Sequence, residues 1–92
     1  MDKIDRFREI TDDLAALYEV KNHDYGDSFG DTWKKLGCVS ALTRLSDKLN
    51  RAINLMTKTE SEVVDESIID TFKDMANYSI MTIIELENEC NT

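Results

Sequence analysis

Apolar and polar positions follow each other along this chain with a helical period rather than a strand period. Ile4, Phe7, Ile10, Leu14 and Leu17 recur at steps of three and four, with Tyr18 four past Leu14. That spacing puts them on one face of a 3.6-residue helix and predicts a first helix over 3–21. Asp2 stands just ahead of it, where a short carboxylate accepts from the first exposed N–H groups, and is the expected N-cap. Val39, Leu42, Leu45, Leu49, Ala52, Ile53 and Met56 repeat the spacing and predict a helix over 39–57. A third periodic stretch covers 62–89, with Val63, Val64, Ile68, Ile69, Phe72, Met75, Ala76, Ile80, Ile83, Ile84 and Leu86. Its apolar arc is wider than one neighbour needs, which predicts burial against the other helices and against a second subunit. KTESE, residues 58–62, reads as a short polar connection, with Ser61 as the N-cap of the last helix.

Residues 22–37, NHDYGDSFGDTWKKLG, break the pattern. All three glycines of the chain, Gly26, Gly30 and Gly37, fall here among Asp24, Asp27, Ser28 and Asp31. Such a cluster predicts a structured loop, with at most a helical turn around Asp31–Leu36. The expected fold is therefore all-α: one domain over 1–92, an antiparallel bundle of three main helices. A structured loop joins the first two, and oligomerisation completes the core.

Composition narrows the function. Ninety-two residues leave no room for a second core. The absence of proline and the few glycines argue against a β sandwich or barrel, which needs frequent turns. A 41% hydrophobic fraction is too high for a disordered acidic tail. The first ten residues, MDKIDRFREI, contain no signal-peptide stretch, and no apolar run has transmembrane length. A cytoplasmic protein without a membrane partner is expected. Cys38 and Cys90 are far apart and form no CxxC, so two free thiols are expected.

A net charge of −8 disfavours long nucleic acid as a partner. The charge is uneven, however. Residues 38–58 hold Arg44, Lys48, Arg51 and Lys58 against Asp47 alone, whereas residues 59–92 hold one lysine against nine acids. A basic helix thus precedes an acidic one.

Three constellations can carry chemistry. Glu66, Asp70, Asp74 and Asn77 lie at offsets of four, four and three and share one helix face. Stacked carboxylates repel each other, so a cation is expected to face them: Mg²⁺, a hard ion that prefers oxygen ligands, or the basic helix itself. The bland reading is a solvated acidic face. Arg44, Lys48 and Arg51 (with Asp47 between) flank the apolar line of the preceding helix and suit phosphate, arginine by its bidentate fork. Their bland reading is pairing with Glu66, Asp70 and Asp74. The loop segment KNHDYGDSF, Lys21–Phe29, supplies a lysine, a glycine for close backbone approach, and aromatics. Tyr25, Phe29 or Trp33 can stack on a base or merely plug the end of the bundle.

Other chemistries fail. In an EF-hand reading from Asp24, Lys35 stands where the twelfth-position glutamate belongs. His23 is the only histidine, which disfavours zinc and leaves a Ser-His-Asp triad without a nucleophile elbow. There is no GK[ST] phosphate loop and no Rossmann fingerprint.

KNHDYGDSF, RLSDKLNR (Arg44–Arg51) and DESIIDTFKDMANY (Asp65–Tyr78), in that order, resemble the small helical nucleotide-modification-associated domain family. The resemblance spans about residues 5–85 and implies a phage or prophage setting. That family is distantly similar to the MazG-like all-α nucleoside triphosphate pyrophosphohydrolases, which hold Mg²⁺ with E-x-x-E on one helix and E-x-x-D on the next. Asp74 matches the final aspartate, but Thr71 stands where its glutamate belongs, and Asp70 and Glu66 are the substitutes one turn earlier. E-x-x-E is replaced by R-L-S-D, which leaves Asp47 as the sole acidic candidate there.

The resemblance thus implies a small-molecule nucleotide ligand. Glu66, Asp70, Asp74 and Asp47 are the candidate Mg²⁺ ligands. Lys21, Arg44, Lys48 and Arg51 are the candidate phosphate contacts, and Tyr25, Trp33 and Asn77 the candidate base contacts. Hydrolysis to monophosphate and pyrophosphate is one outcome. A non-catalytic nucleotide binder is the alternative, and it better tolerates the lost E-x-x-E. An oligomeric helical protein acting through protein partners is the third reading.

Overall fold

The computed structural model describes residues 2–57 and 66–90, with the backbone alone at 66, 67 and 90. The described residues form four helices: α1 (Lys3–Tyr25), α2 (Ser28–Leu36), α3 (Cys38–Thr57) and α4 (Glu66–Cys90). The all-α expectation stands, and the helix count is corrected from three to four. Residues 58–65 lie outside the described residues, and with them the KTESE connection and the Ser61 cap.

Most of the segment expected as a loop is helical, and its glycines punctuate it. Helix α1 runs four residues further than the periodicity predicts and stops at Gly26, whose φ of 66° is the left-handed conformation that glycine adopts without strain. Asp27 then caps α2, its carboxylate accepting from the Gly30 N–H at 3.1 Å. A Cβ at Gly30 would collide with that same carboxylate, so the residue that reads as a loop signal is the one that lets the cap close. Gly37, at φ 70°, ends the helix by donating its N–H to the Trp33 carbonyl at 2.7 Å. The predicted cap of α1 is present: Asp2 accepts from the Ile4 N–H at 3.1 Å.

Packing is strongest between α3 and α4, and α2 lies on both. Phe29 and Trp33 from α2 are buried against Ala41 of α3, with Tyr78 and Met81 of α4 packed around them. Phe29 stacks on Trp33 (centroids 6.5 Å apart) and on Tyr78 (6.1 Å). The Trp33 indole Nε1–H donates to the Glu89 carboxylate at 2.5 Å, which satisfies the one polar atom of that side chain. Helix α1 rests on α4 through its second half: Leu14 is buried, and the Asn77 amide donates to the Leu14 carbonyl at 3.4 Å. Among the described residues no helix is long and apolar enough to cross a membrane.

Candidate functional site

Where α1 ends, α2 begins and α4 passes beneath, the helices line an open-sided cavity of about 150 Å³. Helix α1 contributes Tyr18, Lys21, Asn22 and Tyr25, at offsets of three, four and seven from the first. The turn into α2 adds Gly26, Asp27, Ser28 and Phe29. Asp74, Asn77, Tyr78 and Met81 come from α4 with the same offsets as on α1, and Arg44 comes from α3. Gly26 serves this turn through its positive φ rather than by making room, since a Cβ there would meet nothing within 4 Å.

Arg44 is half-buried and held by aromatic faces. Its guanidinium carbon sits 5.4 Å from the Phe29 ring centroid and 5.8 Å from that of Tyr78. Contacts of this kind contribute roughly 0.5–2 kcal/mol each and fix the plane of the guanidinium. Asp74 is the acidic centre of the site. Its Oδ2 accepts from Lys48 Nζ at 3.0 Å, and its Oδ1 lies 3.9 Å from Lys21 Nζ. The Lys48 and Asp74 side chains are only 30% and 25% exposed, whereas Lys21 is 57% exposed. The first pair is therefore the stronger, since solvent screens an exposed pair to about 0–1 kcal/mol.

The structure brings Lys21, Tyr25, Arg44, Asp74 and Asn77 to one cavity, with Lys48 joined to it through Asp74. It places the others elsewhere. Trp33 is buried in the core and absent from the cavity wall. Arg51 points at α4 one turn away, where its Nε–H donates to the Thr71 hydroxyl at 3.2 Å. Asp47 and Asp70 are exposed and do not line the cavity. The Glu66 side chain lies outside the described residues. Tyr18, Asn22 and Tyr78 are wall residues that sequence reasoning did not select. Their signal was present in the repeated 0, 3, 4, 7 offsets at 18, 21, 22, 25 and at 74, 77, 78, 81.

Among the described residues, with the Glu66 side chain outside them, the carboxylates do not form a cage for Mg²⁺. A divalent ion wants several oxygen ligands free of competing cations. Here Asp74 already accepts from an ammonium group on one oxygen and faces a second ammonium on the other. Among the described residues no three His, Cys, Asp or Glu side chains are grouped closely enough to hold a metal.

Residues 21–86 match the family described as nucleotide modification associated domain 1, and these residues include every cavity-lining residue except Tyr18. No curated protein and no solved structure matches the chain significantly.

Proposed function

The chain belongs to the nucleotide modification associated domain 1 family, and from that premise we propose that its cavity binds a small nucleotide without hydrolysing it. The observation that carries this reading is the make-up of the wall: Tyr18, Tyr25, Phe29 and Tyr78 share one cavity with Lys21 and Arg44. Aromatic faces suit a base, and a guanidinium held on aromatic rings beside an exposed ammonium suits its phosphates. About 150 Å³ is room for a base or sugar, with the phosphate chain directed toward the open side. The family name supports a nucleotide in general terms only. Hydrolysis by the MazG-like route needs a metal-holding carboxylate set, which the described residues do not supply.

The test is a panel of ribo- and deoxynucleoside mono-, di- and triphosphates, scored by thermal stabilisation and by pyrophosphate release. A ligand at a hundred times its Kd should stabilise the fold by about 2.7 kcal/mol. At this chain length that raises Tm by roughly ten degrees or more. A panel in which nothing raises Tm sinks the reading. Pyrophosphate release that Asp74→Asn abolishes replaces it with the hydrolase.

We also propose that the chain self-associates. Ile4 is 61% and Phe7 70% exposed, and Leu42, Met56 and Ile83 are each more than half exposed. A second copy of the same chain offers matching apolar faces.

A further inference from the structure

We infer that Lys48 is a built-in counter-cation: by neutralising Asp74 from behind, it lets the cavity take a phosphate chain with no divalent metal. The inference rests on the nucleotide reading above and concerns how that site handles charge.

The charges facing the cavity come from all its helices. Lys21 and Arg44 are positive, Asp27 and Asp74 negative. Asp27 is engaged in capping the Gly30 N–H, and α2's N-terminal dipole offsets its charge. Asp74 has no such backbone partner. An anionic phosphate chain entering beside it would be repelled unless a cation stays on that carboxylate. In nucleotide sites that cation is commonly Mg²⁺, shared between carboxylate and phosphate. Here Lys48 is outside the cavity wall yet holds Oδ2 at 3.0 Å, in a pair that is mostly withdrawn from solvent. With Oδ2 occupied, Lys21, 3.9 Å from the other oxygen, is only loosely held and can turn to the ligand. Asp74 thus acts as a positioning residue between two ammonium groups, and Lys48 sets the sign of the site without touching the ligand.

The experiment is a double-mutant cycle read in two buffers, with the common deoxynucleoside triphosphates as probes. Binding is followed by calorimetry and by fluorescence of Trp33, the single tryptophan, which stacks on the cavity residue Phe29. In the native protein, Kd should agree within about threefold between EDTA and excess Mg²⁺. Lys48→Met should weaken binding in EDTA by about tenfold, the effect of one uncompensated charge in a partly buried site. Lys48→Met combined with Asp74→Asn should return to within about threefold of Asp74→Asn alone. Should Lys48→Met fail to fold, Lys48→Arg keeps the charge and should retain affinity in EDTA. A native protein that needs Mg²⁺ for binding overturns the inference, as does a Lys48→Met loss that persists when Asp74 is also replaced.

A second arm needs no nucleotide. Mn²⁺ alone, followed by electron paramagnetic resonance, should show no micromolar site in the native protein. A micromolar site that Asp74→Asn removes overturns the counter-cation. If no triphosphate binds in either buffer, the nucleotide reading fails and the Mn²⁺ arm still decides whether Lys48 or a metal holds Asp74.

Discussion

The two halves of α1 carry the same apolar period and meet different surroundings. Its second half lies on α4: Leu14 is buried, Lys21 reaches Asp74, and Tyr18, Asn22 and Tyr25 wall the cavity. Its first half projects Ile4 and Phe7 into open space, more than 60% exposed, although their spacing is as regular. Periodicity therefore reports that a face wants burial and is silent on what buries it. In one half the chain's own helices supply the cover. In the other, none of the described residues does, and the self-association proposed above would supply it.

The largest effect is expected on the covered side of the molecule. Trp33→Ala should cost about 3–5 kcal/mol, because it vacates the packing between α2, α3 and α4 and removes the indole hydrogen bond to Glu89. That is a large share of the stability of a small domain, which totals about 5–15 kcal/mol. Chemical denaturation should show the loss as a lower midpoint. A change below about 1 kcal/mol would mean that the Phe29–Trp33–Ala41 cluster is not the core.

Arg44→Ala separates binding from stability within the covered region. The guanidinium rests on Phe29 and Tyr78, so its loss should cost about 1 kcal/mol of folding free energy. Its proposed contacts to phosphate are charge-assisted, and losing them should weaken nucleotide binding by roughly ten- to a hundredfold. Calorimetry beside a thermal melt reads both. An affinity loss no larger than the stability loss would make Arg44 a packing residue and remove it from the phosphate site.

What the sequence showed, and what it withheld, follows the same division. Caps and periods are local, so the Asp2 cap and three of the four helices were legible. Helix α2 was read only as a helical turn around Asp31–Leu36 because it is nine residues long with glycines at 26 and 37 on either side, and glycine signals a loop as readily as a helix end. The acidic and basic stripes were legible as stripes. Their pairing was not, because it depends on how α3 and α4 are rotated. Lys48 meets Asp74, while Arg51 meets Thr71, buried and uncharged, instead of Asp70. The cavity wall on α4 consequently covers 74–81 rather than 66–77, which leaves Asp70 out of it and brings in Tyr78. Trp33 looked like a base contact because it sat in a supposed loop. Once that segment is a helix, its apolar face turns the indole inward.

The smallest effect on the single chain should come from Ile4→Ser with Phe7→Ser. Both side chains are already hydrated, so the isolated subunit should change by less than about 0.5 kcal/mol. If these residues lie at a subunit interface, the same pair should shift the association equilibrium by an order of magnitude or more, since apolar anchors dominate interface energy. Light scattering across a dilution series measures that shift, and denaturation at high and low protein concentration measures its coupling to folding. A native protein that scatters as a monomer throughout, with a midpoint independent of concentration, would show that α1's first half is simply left exposed. A dimer that dissociates in the double variant while the isolated subunit keeps its stability would place the missing cover of α1 on a second copy.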